Sequence, residues 1–383
     1  MLSMVVLVGL NLRPFLTATG PLAAGIRADT GMTLQVAALL TLVPMGLMGV
    51  LAFAGPWVQG AVGDRRAVIG ALLVMAAGSF ARLFVASGAE LIATAAVLGI
   101  GVAIVQAVFP AILKRSFPGQ LTVVMGLYSA TLMGGGAVGA QVSPLIAAAA
   151  GGWRAGLGWL VAPALAAALA VALVLPRGPT QAPVAAMRVG ALLRRPRAWL
   201  LMGCFGLVNG GYSSIIAWLA PFYQERGWNA PASGGLLALM ALSQGIAALL
   251  FPVLARHGRD RRGWLWTTLA LQAAGFLGLA AAPDLAPSLW AVSVGAGLGA
   301  SFALTMVTAL DHLDDPAAAG ALAALMQGGG FLVAASAPWI AALLHDRTGG
   351  FAAGWMMHLA CIAIVSVLTV RLAPAGYERA IPI

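Results

Sequence analysis

The sequence predicts an all-α membrane protein of twelve transmembrane helices, built as two six-helix parallel repeats. Three observations carry this. Of 383 residues, 61% are hydrophobic and 8% charged, whereas a soluble globular chain carries about 25% charged residues. The charges cut the chain into apolar stretches long enough to cross a bilayer, and short alternating strands of the kind a membrane barrel needs are missing. The two halves repeat each other at a nearly constant offset.

A helical span needs about 20 residues. The apolar stretches run over 4–26, 34–58, 68–86, 91–113, 121–150, 155–175, 199–222, 232–254, 264–282, 285–310, 317–344 and 351–372. Three residues precede the first, with no basic segment or A-x-A site, so it reads as a span and not as a cleaved leader. Forty-nine glycines and 21 prolines fit such helices, because neighbouring helices re-satisfy backbone groups that proline frees. Cys204 and Cys361 each lie inside an apolar run and read as reduced packing residues.

Orientation follows from lysine and arginine, which favour cytoplasmic loops. With the N-terminus cytoplasmic, fifteen basic residues fall inside: Arg65, Arg66, Lys114, Arg115, Arg177, Arg188, Arg194, Arg195, Arg197, Arg256, Arg259, Arg261, Arg262, Arg371 and Arg379. Five fall outside: Arg27, Arg82, Arg154, Arg226 and Arg347. Both termini are thus expected in the cytoplasm of a bacterial-type inner membrane. The net charge of +10 is then a topogenic signal facing anionic lipid, with no nucleic-acid partner implied.

The polar stretch 176–196 divides the chain, giving an N-terminal bundle over 1–176, a cytoplasmic linker over 177–197 and a C-terminal bundle over 198–383. Pro56, Arg65, Arg66, Gly99 and Gly101 recur 196 residues later as Pro252, Arg261, Arg262, Gly295 and Gly297. Gly126, Gly134–Gly136 and Pro144 recur 194 later as Gly320, Gly328–Gly330 and Pro338. Six spans followed by six in the same sense is the parallel-repeat plan of many secondary transporters.

Three segments carry a family likeness: Asn11-Leu12-Arg13-Pro14, the run from Ala217-Trp218-Leu219 to Gln224-Glu225-Arg226-Gly227, and Met326-Gln327-Gly328. With them the whole chain resembles the cyanate and 2-nitroimidazole porter family of the major facilitator superfamily. The superfamily's loop motif survives as Gly60, Val62, Asp64 and Arg65 followed by Arg66, without its later glycine and basic pair. The resemblance implies a gating role for Asp64 and Arg65, and transport of small anions or small nitro compounds.

One arginine remains. Arg13 lies midway along the first span, where an arginine costs about 2.5–3.5 kcal/mol on the insertion scale. Pro14 biases it away from helical geometry, so a broken helix is expected there, with Thr17 on the same face. Arg13 either offers a planar fork to a carboxylate-like or nitro-like group or serves structurally. All eleven acidic residues fall in loops or at span ends, so none lies at matching depth. The substrate role is therefore the expected one.

Amides inside spans include Asn11, Gln106, Gln141, Asn209, Gln244 and Gln327. They either contact substrate or join helices; Asn11, Gln106, Asn209 and Gln327 enter the expected site. Tyr128, Tyr212 and Trp218 are candidates to wall a planar ligand, although Trp218 also suits a membrane-interface belt. The glycine triplets lack a following lysine, so close helix approach explains them better than a phosphate cradle. His358, alone in the twelfth span, reads as structural. With no HExxH, GxSxG or His/Cys cluster, no enzyme activity, cofactor or metal is expected. The expectation is a monomeric transporter of a small monovalent, cyanate-like anion or small nitro compound, working by alternating access. The alternative is a proton-coupled multidrug exporter, disfavoured by the lack of a carboxylate within the spans. A sensor would need a soluble signalling segment, and the linker is too short for one.

Overall fold

In a bilayer a backbone amide finds no water, so an apolar run must satisfy its own N–H and C=O groups, and a helix does this within one segment. The computed structural model follows that rule. It describes residues 1–117, 120–176, 186–258, 260–313 and 315–377, and every regular element among them is helical. The middle of the expected linker, residues 177–185, lies outside the described residues, as do Arg177, Arg259, Asp314, Glu378 and Arg379.

The first span is broken, as Pro14 led one to expect, into α1 (Leu2–Asn11), α2 (Pro14–Thr17) and α3 (Thr19–Thr30), and the stretch Leu2–Thr17 meets α3 at a bend of 43°. α4 (Leu34–Leu51) starts on Thr33, whose hydroxyl accepts from the Val36 N–H at 3.3 Å. α5 (Gly55–Val62) turns into α6 (Asp64–Ala81) through Gly63, whose φ of 78° only glycine adopts readily. The third span therefore starts and ends earlier than its hydropathy indicates. α7 (Gly88–Ser116) opens with a capping box between Ser87 and Glu90. α8 (Leu121–Ala150) is continuous, and α9 (Trp153–Gly158) with α10 (Val161–Val174) makes the sixth span.

A short helix, α11 (Ala186–Leu193), leads into the second half: α12 (Pro196–Gln224), α13 (Ala230–Leu254), α14 (Arg262–Ala281), α15 (Pro287–Leu310), α16 (Pro316–Thr348) and α17 (Ala352–Thr369). Among the described residues ten helical segments are long and apolar enough to cross a membrane, and the bent first pair makes an eleventh. α6, which opens on Asp64, Arg65 and Arg66, is not among them and stands where the sequence predicts the third span.

Contacts group the chain into two units, Met1–Pro183 with Ile215–Ala241, and Val184–Ser214 with Leu242–Ile383. In the first unit α7 packs on α4 and α6, and α8 on α1 and α2. Glycine sets the closeness. A Cβ on Gly101 of α7 would stand 2.7 Å from the Ala71 carbonyl of α6, and one on Gly135 of α8 would overlap the Leu10 carbonyl of α1. The second unit repeats the device: a Cβ on Gly297 of α15 would stand 2.7 Å from the Thr268 carbonyl of α14, and one on Gly330 of α16 would overlap the Phe205 ring of α12. Gly135 and Gly330, one from each triplet, are thus helix-approach sites, as expected.

Charge pairs tie off the basic end of each unit. In the first, Asp64 pairs with Arg115; in the second, Arg261 pairs with Asp311 at 3.4 Å. Arg115 and Asp311 stand 196 residues apart, and Asp64 and Arg261 stand 197 apart, with the signs of both partners exchanged. Below Arg261 the chain end folds back, and the Tyr377 ring stacks on His312 at 3.8 Å between centroids. The His312 Nδ1–H donates to the Thr308 carbonyl at 2.6 Å, which leaves Nε2 buried and bare. Burial, above all, lowers this imidazole from 6.5 to about 4; Arg197 pushes the same way, against the Thr308 bond and Asp311.

Two outcomes follow. Gly135→Ala forces α8 off the Leu10 carbonyl and is expected to destabilise by about 1–3 kcal/mol, in the range of overpacked cores. Gly134→Ala, whose Cβ would meet only Leu10 Cδ2 at 3.9 Å, should melt like the parent in detergent. An unfolded His312 takes up its proton near pH 6.5, while the stacked one resists to about pH 4. Its contribution is therefore complete above pH 6.5 and fades as pH falls towards 4. Melting curves across that range should show the loss, and His312→Gln should flatten it.

Candidate functional site

The site grows from the broken span. Pro14 has no N–H to give the Leu10 carbonyl, so the helical ladder stops one turn earlier. The Leu12 N–H turns instead to the Gly9 carbonyl at 3.2 Å. Arg13 takes φ −117° and ψ −23°, still right-handed but with φ far from the helical value near −63°. Its carbonyl then starts the next short piece by accepting from Leu16 and Thr17 N–H at 3.1 and 3.3 Å. A second interruption follows at Ala18, where α2 ends. The Thr19 hydroxyl donates to the Leu16 carbonyl there, at 2.6 Å.

α8 supplies the seat for this segment. A Cβ on Gly139 would stand 2.5 Å from Pro14 Cα, and one on Gly136 would stand 3.4 Å from both Arg13 Cβ and Thr17 Cγ2. The Thr17 hydroxyl donates across to the Gly136 carbonyl at 2.7 Å. Arg13 is 3% exposed, and its charge acts on the Tyr128 hydroxyl, also on α8. Tyr128 in turn tilts against Phe109 at 5.5 Å. Arg13, Thr17 and Tyr128 are thus gathered on one seam of the first unit.

The other sequence candidates are spread more widely. The Asn11 amide donates to the Leu7 carbonyl at 2.8 Å and to the Pro163 carbonyl at 3.0 Å, which joins α1 to α10. Gln106 is half-buried on α7. Trp218 is 1% exposed and lines a small cavity with Thr19, Gly20, Leu40 and Thr41, so it is a buried wall and no belt residue. Asn209, Tyr212 and Gln327 belong to the second unit. The Asn209 amide donates to the Phe205 carbonyl at 2.8 Å. Tyr212 is buried. The half-buried Gln327 reaches Met306 Sδ at 3.5 Å. His358 stacks on Phe276 at 5.0 Å, and neither ring nitrogen has a hydrogen-bond partner.

Asp64 and Arg65 brace the basic end of the first unit. Asp64 accepts from Gln59 Nε2 at 2.8 Å in addition to its pair with Arg115. Arg65 donates to the Ala172 carbonyl of α10.

Two residues matter more than their place in the sequence suggests. Gln224 donates to the Pro21 carbonyl at 2.8 Å and to Ser233 Oγ at 2.9 Å, which latches α3, α12 and α13 together at the far end of the first unit. Glycine helps: a Cβ on Gly20 would stand 2.5 Å from the Ile216 carbonyl. The Trp-Leu-x-Pro-Phe-x-Gln run marked Gln224, but a backbone carbonyl 203 residues away carries no sequence signal. Arg82, counted above among the external arginines, is fully buried. α6 ends at Ala81, and the next residue turns its side chain inward.

The chain as a whole is similar to known proteins. The Major Facilitator Superfamily profile matches residues 6–338. The cyanate transport protein CynX of Escherichia coli is 43% identical over 99% of this chain and 98% of its own. The 2-nitroimidazole transporter of the same organism is 28% identical over 95% of this chain and 92% of its own. Among solved structures, a bacterial homolog of the human lysosomal transporter Spinster, inward-facing and unoccupied, superposes with a TM-score of 0.74, at 16% identity, over 99% of this chain and 96% of that one. The protein is therefore a multi-pass membrane transporter of the major facilitator superfamily and belongs to its cyanate and 2-nitroimidazole porter family.

Proposed function

We propose that the protein carries a small monovalent anion, cyanate-like in size and charge, across a bacterial inner membrane by alternating access, with both termini in the cytoplasm. The observation that carries the reading is the buried guanidinium of Arg13 at the break in the first span. An arginine at this depth marks a substrate pathway by default. Its planar fork suits a linear or planar anion better than a point charge does. The 43% identity to a cyanate transport protein supports the choice of substrate class. A small nitro compound presents the same pair of oxygen acceptors, which fits the 2-nitroimidazole relative.

In this reading Arg13 takes the anion, while Thr17 and Tyr128 shape its immediate surroundings. Gln106, Asn209, Tyr212, Trp218 and Gln327 line the path, and Asn11 holds the broken segment in place. The moving bodies are the bundles 1–176 and 198–383, joined by the linker 177–197. Asp64 and Arg65 steady the cytoplasmic end during the motion, and the Gln224 latch closes the external one. Exchange of access requires that latch to open, which is inexpensive because only neutral hydrogen bonds, worth about 0.5–1.5 kcal/mol each net, are lost.

The test is direct binding of sodium cyanate to detergent-purified protein by calorimetry. Arg13→Ala should abolish the heat of binding, because charge and fork both go. Arg13→Lys should keep a residual, weaker binding, since it retains the charge but loses the fork. A folded Arg13→Ala protein that binds cyanate within a few-fold of the parent would contradict the assignment.

A further inference from the structure

The first unit holds a second buried guanidinium, which the anion site described above leaves unused. Arg82, immediately after α6, is 0% exposed. Its Nε donates to the Thr94 hydroxyl of α7 at 3.3 Å, and its Nη1 points at the Phe15 carbonyl of α2 at 3.5 Å. Its Nη2 is buried with no partner at all, and none of its contacts is a carboxylate. A buried charge without a counter-charge weakens a fold. Packing alone would favour an apolar side chain of similar volume at this position, so the reason for arginine must lie in what it reaches.

What it reaches is the four-residue piece between the two breaks of the first span. Phe15 lies two residues after Arg13, and the helical assignment stops at Ala18, so the Phe15 carbonyl does not carry the ladder into α3. Backbone oxygens at this depth need a donor from elsewhere. The Thr17 hydroxyl is already committed to Gly136 and the Thr19 hydroxyl to Leu16. Arg82 is the side chain that approaches Phe15 from α6, steadied by Thr94.

We propose that Arg82 is a positioning residue for anion transport: it holds α2 between its two breaks and so fixes the direction in which Arg13 is presented to the substrate. The inference rests on the reading of Arg13 as the anion contact. It predicts that removing Arg82 loosens the site without weakening the fold, the reverse of what a structural arginine would do.

The experiment compares cyanate uptake into proteoliposomes with melting in detergent for the parent, Arg82→Met, Arg82→Lys, Thr94→Val and Arg13→Ala. Arg82→Met, which keeps volume and loses the donors, should raise KM by about tenfold with kcat little changed, a pattern that reports on ground-state binding. Its Tm should equal or exceed that of the parent. Arg82→Lys, which restores a donor, should recover most of the KM loss, and Thr94→Val should raise KM by a smaller factor. A parental KM in Arg82→Met, or a fall in Tm that accompanies equal losses in KM and kcat, overturns the proposal. If Arg82→Met does not fold, the claim that the fold is indifferent to Arg82 falls, and a parental KM in Thr94→Val overturns the positioning role as well. Arg13→Ala separates the two claims. Lost uptake in that variant beside a parental Arg82→Met leaves the anion site standing and removes only the role of Arg82. Retained uptake in Arg13→Ala removes both.

Discussion

A membrane-crossing helix cannot be interrupted without finding new partners for the backbone groups it frees, because hydrocarbon offers none. The first span of this transporter is interrupted twice within seven residues, at Leu12–Arg13 and at Ala18, and much of the first unit is arranged around that fact. α8 comes close enough to cover the segment only because Gly135, Gly136 and Gly139 carry no side chains there. Thr17 and Thr19 spend their hydroxyls on nearby carbonyls. Arg82 is brought in from α6 at the cost of burying its charge. The break falls at Arg13, which is buried there.

The two halves start from the same plan and depart from it at this point. Thr17 of α2 donates to the Gly136 carbonyl of α8 at 2.7 Å, and Ser213 of α12 donates to the Ala334 carbonyl of α16 at 2.7 Å. Asn11 and Asn209, 198 residues apart, both donate to the carbonyl four residues earlier. At the same offset from Arg13, however, stands Gly211, whose Cβ would meet the Phe276 ring at 3.1 Å. α12 also runs unbroken past that level. One half kept its helix and packed its core; the other gave up helical continuity and gained a charge.

What was legible in the sequence was whatever depends on neighbours along the chain. Pro14 beside Arg13 announced the break, the spacing of charges announced the spans, and the offset of about 196 residues announced the paired glycine seams. What was not legible depends on residues that meet only in three dimensions. The Gln224 latch ends on a backbone carbonyl, which every residue possesses. Arg82 was counted with the external charges, because neither its burial nor its contacts with Thr94 and Phe15, 12 and 67 residues away, leave a trace along the chain. Trp218 had the composition of a belt residue, and only its packing against α3 and α4 places it inside. The hydrogen-bond partners of Asn11 escaped for the same reason, since Pro163 lies 152 residues away.

The central claim is that the Arg13 guanidinium holds the anion itself. Cyanate carries its own reporter, because its strong asymmetric stretch shifts when a hydrogen-bond donor replaces water at one end of the ion. Difference infrared spectra of the purified protein titrated with cyanate should show one shifted band that saturates at one ion per chain and is missing in Arg13→Ala. A saturable shifted band of the same position and amplitude in Arg13→Ala would contradict the account, because the anion would then be held by other groups.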